Sequence, residues 1–291
     1  MTTFSISCEF FPPRSPEAAA RLDDAATRLA GLAPEFFSVT FGAGGSTRDL
    51  TLETVQHLQA RTGVETAPHL SCIGTPVAEL REILARYVAA GVRRLVVLRG
   101  DMPSGMTGFG EFRHANELVG FVRRETGTHF HIEVAAYPEF HPQAASATED
   151  LQNFRRKVEA GADSAITQYF YNADAYFSFV DSCRAQGIRI PIVPGIMPIT
   201  NFTQLARFSE MCGAEIPRWI AKRLRDFGDD RAAIRRFGIE VTTALCERLR
   251  AGGAPGLHFY TMNQYEATGA ICRALGLDQP ARRAAGHVRE D

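Results

Sequence analysis

Glu9 follows a short apolar run and stands between Cys8 and Phe10-Phe11, with Pro12-Pro13-Arg14 closing the segment. Burying a carboxyl in such company is costly without a purpose. Apolar neighbours disfavour its charged form, which suits a general acid working near neutral pH. A structural ion pair, for example with Arg99, is the plainer alternative. A second carboxyl, Asp101, lies within the stretch Leu95-Val96-Val97-Leu98-Arg99-Gly100-Asp101-Met102-Pro103-Ser104-Gly105, where four apolar residues run into a charged pair and a Pro/Gly turn. Alone, Asp101 reads as a turn cap. Polar or aromatic residues close the other apolar runs too: Thr40, His69, Tyr137 with His141 just beyond, Gln168, Phe202 after the Pro194-Gly195 loop, and Tyr260 with Asn263. Singly, each has an ordinary structural reading: His69 as a satisfied core histidine, Gln168 as a buried amide, Tyr137 as packing, Phe202 as a loop anchor. Their shared position at the ends of apolar runs argues for one site. An acid, a second carboxylate and an aromatic, amide-bearing pocket suit a flat heteroaromatic ligand.

Asp150, Asn153, Arg156 and Lys157 lie three or four apart and share a helix face. That face is either a solvated, salt-bridged one or a phosphate-binding edge, and spacing leaves both open. A Schiff-base aldolase needs a lysine at a strand end, yet the only lysines, Lys157 and Lys222, fall in helical stretches. Glu9, His69, Asp101 and His141 are the candidates for a metal-dependent hydrolase, but no His-x-His marks the first strand, so no metal is expected.

The elements that must position these residues alternate regularly. Strands are predicted at 4–11, 36–41, 66–72, 93–98, 132–137, 165–171, 190–193 and 257–262. Helices are predicted at 16–32, 50–61, 76–90, 114–124, 148–160, 174–186 and 201–211, in two segments filling 217–251, and at 265–275. Buried strands alternating with helices argue for a parallel sheet. Eight such units fit a single α/β domain, a closed (β/α)₈ TIM barrel over 1–278, with extra helices before the last strand and a polar tail at 279–291. An open doubly wound sheet is the alternative, but no strand opens Gly-x-Gly-x-x-Gly. In the barrel, chemistry collects at the C-terminal strand ends.

With 291 residues, 45% hydrophobic and 22% charged, the chain is long enough for one large core. A net charge of −1 gives no basic field for nucleic acid. The six cysteines form no Cys-x-x-Cys pair, so free thiols in a reducing compartment are expected. The first six residues carry no basic region leading into an apolar core, and no apolar run reaches the length of a membrane span. A cytoplasmic protein without membrane contact is expected.

At these same residues the sequence resembles the methylenetetrahydrofolate reductase family. The matching motifs are Glu9-Phe10-Phe11-Pro12-Pro13, Ser38-Val39-Thr40-Phe41-Gly42, Ala67-Pro68-His69-Leu70-Ser71-Cys72 and Leu98-Arg99-Gly100-Asp101. They continue with Ala136-Tyr137-Pro138-Glu139, His141-Pro142, Ala165-Ile166-Thr167-Gln168, Pro194-Gly195-Ile196 and His258-Phe259-Tyr260-Thr261. The resemblance implies a (β/α)₈ barrel with FAD in its mouth. It also implies ping-pong reduction of 5,10-methylenetetrahydrofolate to 5-methyltetrahydrofolate by NADH or NADPH, serving one-carbon metabolism and methionine supply. Glu9 matches the family's general acid, and Asp101 the carboxylate between flavin and pterin. Thr40, Phe41, Ala43, His69, Arg99, Gly100, Ala115, Tyr137, His141, Asp150, Asn153, Arg156 and Lys157 match cofactor contacts, Thr40 on the nicotinamide side. Gln168, Phe202 and Tyr260 match substrate contacts. Gln264 stands where the family often has arginine against the folate's acidic tail, and His114 where some relatives have tyrosine. A homo-oligomer is expected. Eukaryotic members add a regulatory domain that this chain is too short to contain, so no such allostery is expected. The alternatives are a pterin-binding methyltransferase barrel without flavin and a non-catalytic binding module, against which the carboxyl of Glu9 counts.

Overall fold

The computed structural model describes residues 4–42, 48–100 and 110–278. Ala43, Asp101 and the tail at 279–291 lie outside the described residues. The elements run β1 (Ser5–Phe10), α1 (Pro16–Ala30), β2 (Phe36–Val39), α2 (Arg48–Thr62), β3 (Thr66–Ser71), α3 (Val77–Ala89), β4 (Arg94–Leu98), α4 (Ala115–Thr126), β5 (His131–Ala136) and α5 (Ala147–Glu159). They continue with β6 (Ser164–Thr167), α6 (Ala173–Ala185), β7 (Ile192–Val193), β8 (Gly195–Ile196), α7 (Phe202–Cys212), α8 (Arg218–Asp226), α9 (Arg231–Ala251), β9 (Gly256–Tyr260) and α10 (Glu266–Ala274). Local chemistry sets the helix starts. Ser15, Ser146, Asn201 and Asp230 each accept a hydrogen bond from a first-turn amide of the helix that follows.

The nine strands among the described residues pair in parallel, in the order β7-β6-β5-β4-β3-β2-β1-β9-β8. The predicted seventh strand, 190–193, shortens to β7, and the Pro-Gly stretch expected as a loop after it carries a second short piece, β8. Ile192–Val193 pairs with β6, and Gly195–Ile196 pairs with β9. Pro194 joins them; its nitrogen has no proton to give a ladder, but its carbonyl accepts from the His258 amide at 3.0 Å. The two ends of the sheet thus meet through one residue, which makes the architecture a TIM-type barrel. The extra helices before the last strand are α8 and α9. The sixth strand stops at Thr167, short of the predicted 171. Tyr169 and Tyr171 are apolar-run residues without being strand residues: they pack under the next segment, with hydroxyls bonded to Ser209 and Met197.

Alternation along the strands divides the interior in two. Ile6, Cys8, Phe10, Phe37, Val39, Leu70, Val97, Val134 and Phe259 face the helices in one large core. Inside the ring is a smaller core of Phe36, Ala67, Val96 and Ile166, with Leu98 and Tyr260 against it. At the N-terminal strand ends the ring is plugged by charge: Arg94 donates to Glu133 at 2.6 Å and to Glu35 at 2.8 Å, and lies over the Phe36 ring.

Candidate active site

Glu9 is the next-to-last residue of β1 and points into the ring at its C-terminal end. Its Oε2 lies 3.5 Å from His69 Nε2 and 3.9 Å from His258 Nε2. The three side chains are nearly buried, at 12%, 7% and 1% exposure. The carboxyl therefore meets two imidazoles, while Arg99 turns elsewhere and donates to Gln143 at 2.6 Å. Burial keeps His69 neutral, pulling its pKa down to about 4 against the opposing pull of Glu9. The Glu9 carbonyl is fixed by the Thr261 hydroxyl at 2.6 Å, and Asn263 clamps the end of β1 by accepting from the Phe11 amide and donating to the Phe11 carbonyl. Asn263 thus serves the backbone that holds Glu9.

Tyr260, two residues after His258, crosses the mouth and donates to the Thr167 carbonyl at 2.7 Å. Burial first, then the charge of Glu9, pushes its phenol well above the ordinary range. It lies over Gly195, where a Cβ would sit 2.1 Å from the Thr167 carbonyl and 2.7 Å from the tyrosine ring. Gln168 follows β6, half-buried, its side-chain oxygen accepting from the Tyr169 amide. Phe202 opens α7 behind the Asn201 cap. Thr40 and Phe41 leave β2 half-buried, with the Thr40 amide bonded to the Phe10 carbonyl. Gln264 is exposed.

The other side of the mouth is cationic. Arg99 and Gly100 leave β4, and the Arg99 carbonyl accepts from the amides of Cys72 and Ile73. Gly100 has φ of +87°, and a Cβ there would lie 2.9 Å from that of Ser71, so only glycine suits this turn. Beyond β5, the rings of Tyr137 and His141 meet edge to face at 4.7 Å. His141 Nδ1 accepts from the Gln143 amide, and its own amide donates to Asp150. Lys157 reaches in from α5 to the Ala135 carbonyl. Burial lowers its pKa to about 8; Asp150 opposes this and the positive charge of Arg99 adds to it. Two cations that raise each other's cost make a spot suited to a polyanion. Of the α5 residues singled out, Asp150 and Lys157 serve this rim. Arg156 is exposed and donates to Asn153 at 2.7 Å, lining an outer cleft with Gln152, Arg155, Glu159 and Gln186. Ala115 is the first residue of α4. Its start is braced by Glu117, which accepts from the amides of Arg113 and His114.

Sequence reasoning gave no role to His258, Ser7 or Ser38. The signal was present as a period of two: Ser7-x-Glu9 in β1 and His258-x-Tyr260 in β9 put polar side chains at alternate positions between apolar ones. In a barrel that pattern marks the inward face.

A model of the methylenetetrahydrofolate reductase family matches residues 1–276. The 5,10-methylenetetrahydrofolate reductase of Escherichia coli (strain K12) is 42% identical over 273 residues, covering 94% of this chain and 91% of the relative. A probable methylenetetrahydrofolate reductase (NADH) of Oryza sativa subsp. japonica is 39% identical over 97% of this chain and 49% of the relative. Among solved structures, an uncharacterized Clostridium thermocellum protein that binds two copies of 5-methyl-5,6,7,8-tetrahydrofolic acid shares the fold, with a TM-score of 0.68 at 17% identity over 94% of this chain and 95% of that one.

Proposed function

The chain belongs to the methylenetetrahydrofolate reductase family, and from that premise we propose that it reduces 5,10-methylenetetrahydrofolate to 5-methyltetrahydrofolate with FAD as bound cofactor and NADH or NADPH as donor. One geometric observation carries the reading. A nearly buried carboxyl flanked by imidazoles and a cationic rim stand at the C-terminal ends of the same ring of strands. The rim fits FAD: Arg99 and Lys157 offer charge to its diphosphate, Gly100 lets backbone approach closely, and Tyr137 with His141 offers an aromatic edge. A bound flavin supplies the ring that accepts hydride from the nicotinamide and returns it to the folate.

The chain's own residues do the rest. Glu9 protonates the bridging amine of the folate: its O–H bond breaks, an N–H bond forms, and the methylene–nitrogen bond opens to a cationic iminium ready for hydride. Asp101, which matches the family's carboxylate between flavin and pterin, stabilises that cation with its negative charge. Gln168 and Phe202 meet nicotinamide and folate in turn, Tyr260 lines the folate side, Thr40 contacts the nicotinamide, and Gln264 lies on the side of the folate's acidic tail.

An anaerobic half-reaction test checks this. NADH or NADPH should bleach the bound flavin, and 5,10-methylenetetrahydrofolate should restore its colour. Glu9→Gln should leave bleaching within about twofold and slow recolouring by at least about 10²-fold, the lower range of general acid catalysis. A protein that takes up no FAD overturns the reading. Equal loss in both half-reactions removes Glu9 as the acid.

A further inference from the structure

Helix α7 carries Phe202 at its first position and ends at Cys212. Near that end it is fastened to the loops that follow two different strands. The first fastening is to the cofactor rim. Glu139, in the loop that carries Tyr137 and His141, is half-buried and accepts from the main-chain amide of Glu215 at 2.8 Å, 76 positions along the chain. The end of α7 lies against the same loop, since a Cβ on Gly213 would stand 2.7 Å from Cγ of Pro142. The second fastening is to the substrate face. Tyr169, 3% exposed, bonds Ser209 through its hydroxyl at 3.0 Å and accepts from the Cys212 thiol at 3.4 Å. Ser209 and Cys212 are three apart and share one helix face. The Tyr169 amide in turn donates to the side chain of Gln168 at 3.0 Å, and its ring meets Tyr260 edge-on at 6.4 Å.

The rim loop is bent to make the first fastening. Phe140 has φ of +56° and leaves its ring 56% exposed. A bulky residue in that conformation is strained and persists only where its surroundings hold it. Here the Phe140 amide donates to the Tyr137 carbonyl at 3.2 Å and the His141 amide to Asp150 at 2.9 Å. The twist lets neighbours on either side of Phe140 serve different partners: Glu139 meets α7, and His141 meets the Tyr137 ring. Burial pushes the Glu139 carboxyl above its ordinary range; the Glu215 amide opposes this and the charge of Glu215 adds to it. A carboxyl taken partly out of water and spent on one distant amide is a costly arrangement without a purpose.

We propose that Glu139 and Tyr169 are positioning residues that clasp α7, so that Phe202 and Gln168 keep one fixed setting against the cofactor rim. This rests on the reductase reading, in which those two residues meet nicotinamide and folate in turn. Glu139 acts through the helix, whose tilt at one end moves Phe202 at the other. Tyr169 acts through both the helix and Gln168. A face that both ligands use, and that no step of the chemistry changes, contributes equally to ground state and transition state. Loosening it raises the half-saturating concentration of each ligand and leaves the limiting rates in place.

The test uses the FAD-loaded holoenzyme and the two half-reactions. Glu139→Ala should raise the half-saturating concentrations of NADH or NADPH and of 5,10-methylenetetrahydrofolate together, by about tenfold or more, the worth of a hydrogen bond to a charged group. Limiting rates should stay within about twofold. Tyr169→Phe, which removes only the hydroxyl, should raise both by about 3- to 10-fold. Glu139→Gln keeps an acceptor oxygen and should recover most of the loss. Amide hydrogen exchange over 205–213 should quicken about tenfold in Glu139→Ala and stay within about twofold in Glu139→Gln. A lowered thermal midpoint with unmoved half-saturating concentrations and unmoved exchange would make both residues ordinary packing and overturn the clasp. So would a rise for one ligand alone, or limiting rates that fall as far as affinity does. A wild-type protein that passes no hydride to the folate overturns the reductase reading instead, and exchange alone then decides whether Glu139 and Tyr169 hold α7.

Discussion

At the scale of single residues, charge state depends on what each side chain is buried against. Lys157 is a sharp case: a lysine on a helix that turns inward, loses water and shares its surroundings with Arg99. Below about pH 8 it carries the ammonium that the proposed cofactor site would turn to a diphosphate; above that value the free protein loses the charge. FAD should therefore be held most tightly below about pH 8 and progressively less tightly as pH rises through it. Lys157→Met should weaken FAD binding by about 10- to 100-fold, the worth of one charge-assisted hydrogen bond, and should flatten the pH dependence around that value. Titrating flavin fluorescence into apoprotein at several pH values measures both. Equal affinity in wild type and variant would remove Lys157 from the cofactor site.

At the scale of elements, the interrupted seventh stave matters most. Pro194 lets the chain change partners from β6 to β9, and Gly195 then passes under Tyr260 with no room for a side chain. A methyl there would meet the Thr167 carbonyl, which is backbone and has little freedom to move. Gly195→Ala should cost about 3 kcal/mol or more, the upper range for overpacking, and should break the Tyr260–Thr167 hydrogen bond. Denaturant unfolding reads the first effect, and weaker folate binding in the folded fraction reads the second. A variant as stable as the wild type would show that the strand break accommodates side chains. The Pro-Gly turn was legible in the sequence. That it divides one stave into two was not, because pairing partners are set across the ring rather than along the chain.

At the scale of the whole molecule, the ring is closed at one end by charge and open to chemistry at the other. Glu133 is fully buried, and burial works against its charge. Hydrogen bonds from His131 and Ser164, with the charge of Arg94, outweigh that and hold its carboxyl below the ordinary 4.5. A depressed carboxyl stabilises the fold above its unfolded value and loses that contribution as pH falls. The plug should therefore hold above about pH 4.5 and weaken on acidification below it. Arg94→Met takes from the buried Glu133 carboxylate its arginine partner, leaving only His131 and Ser164 on it, and should cost about 3 kcal/mol, the lower range for breaking a buried pair, read as a lowered denaturation midpoint at neutral pH. Because the plug is far from the mouth, any folded variant should keep the half-reaction rates. Loss of hydride transfer without loss of stability would contradict that separation.

Read alone, the sequence determined the alternation of strand and helix and the extra helices before the last strand, because hydrophobic period, caps and turn residues are local properties. It also fixed the family, since the motifs follow one another in order along the chain. Only the tertiary structure decided what each group faces. Glu9 was legible as a buried acid, yet its imidazole neighbours come from strands β3 and β9, 60 and 249 positions further along. His258 looked like one letter of a motif until closure of the ring set it beneath the carboxyl. Distance along a chain carries no information about distance across a barrel, and the proposed chemistry depends on the second.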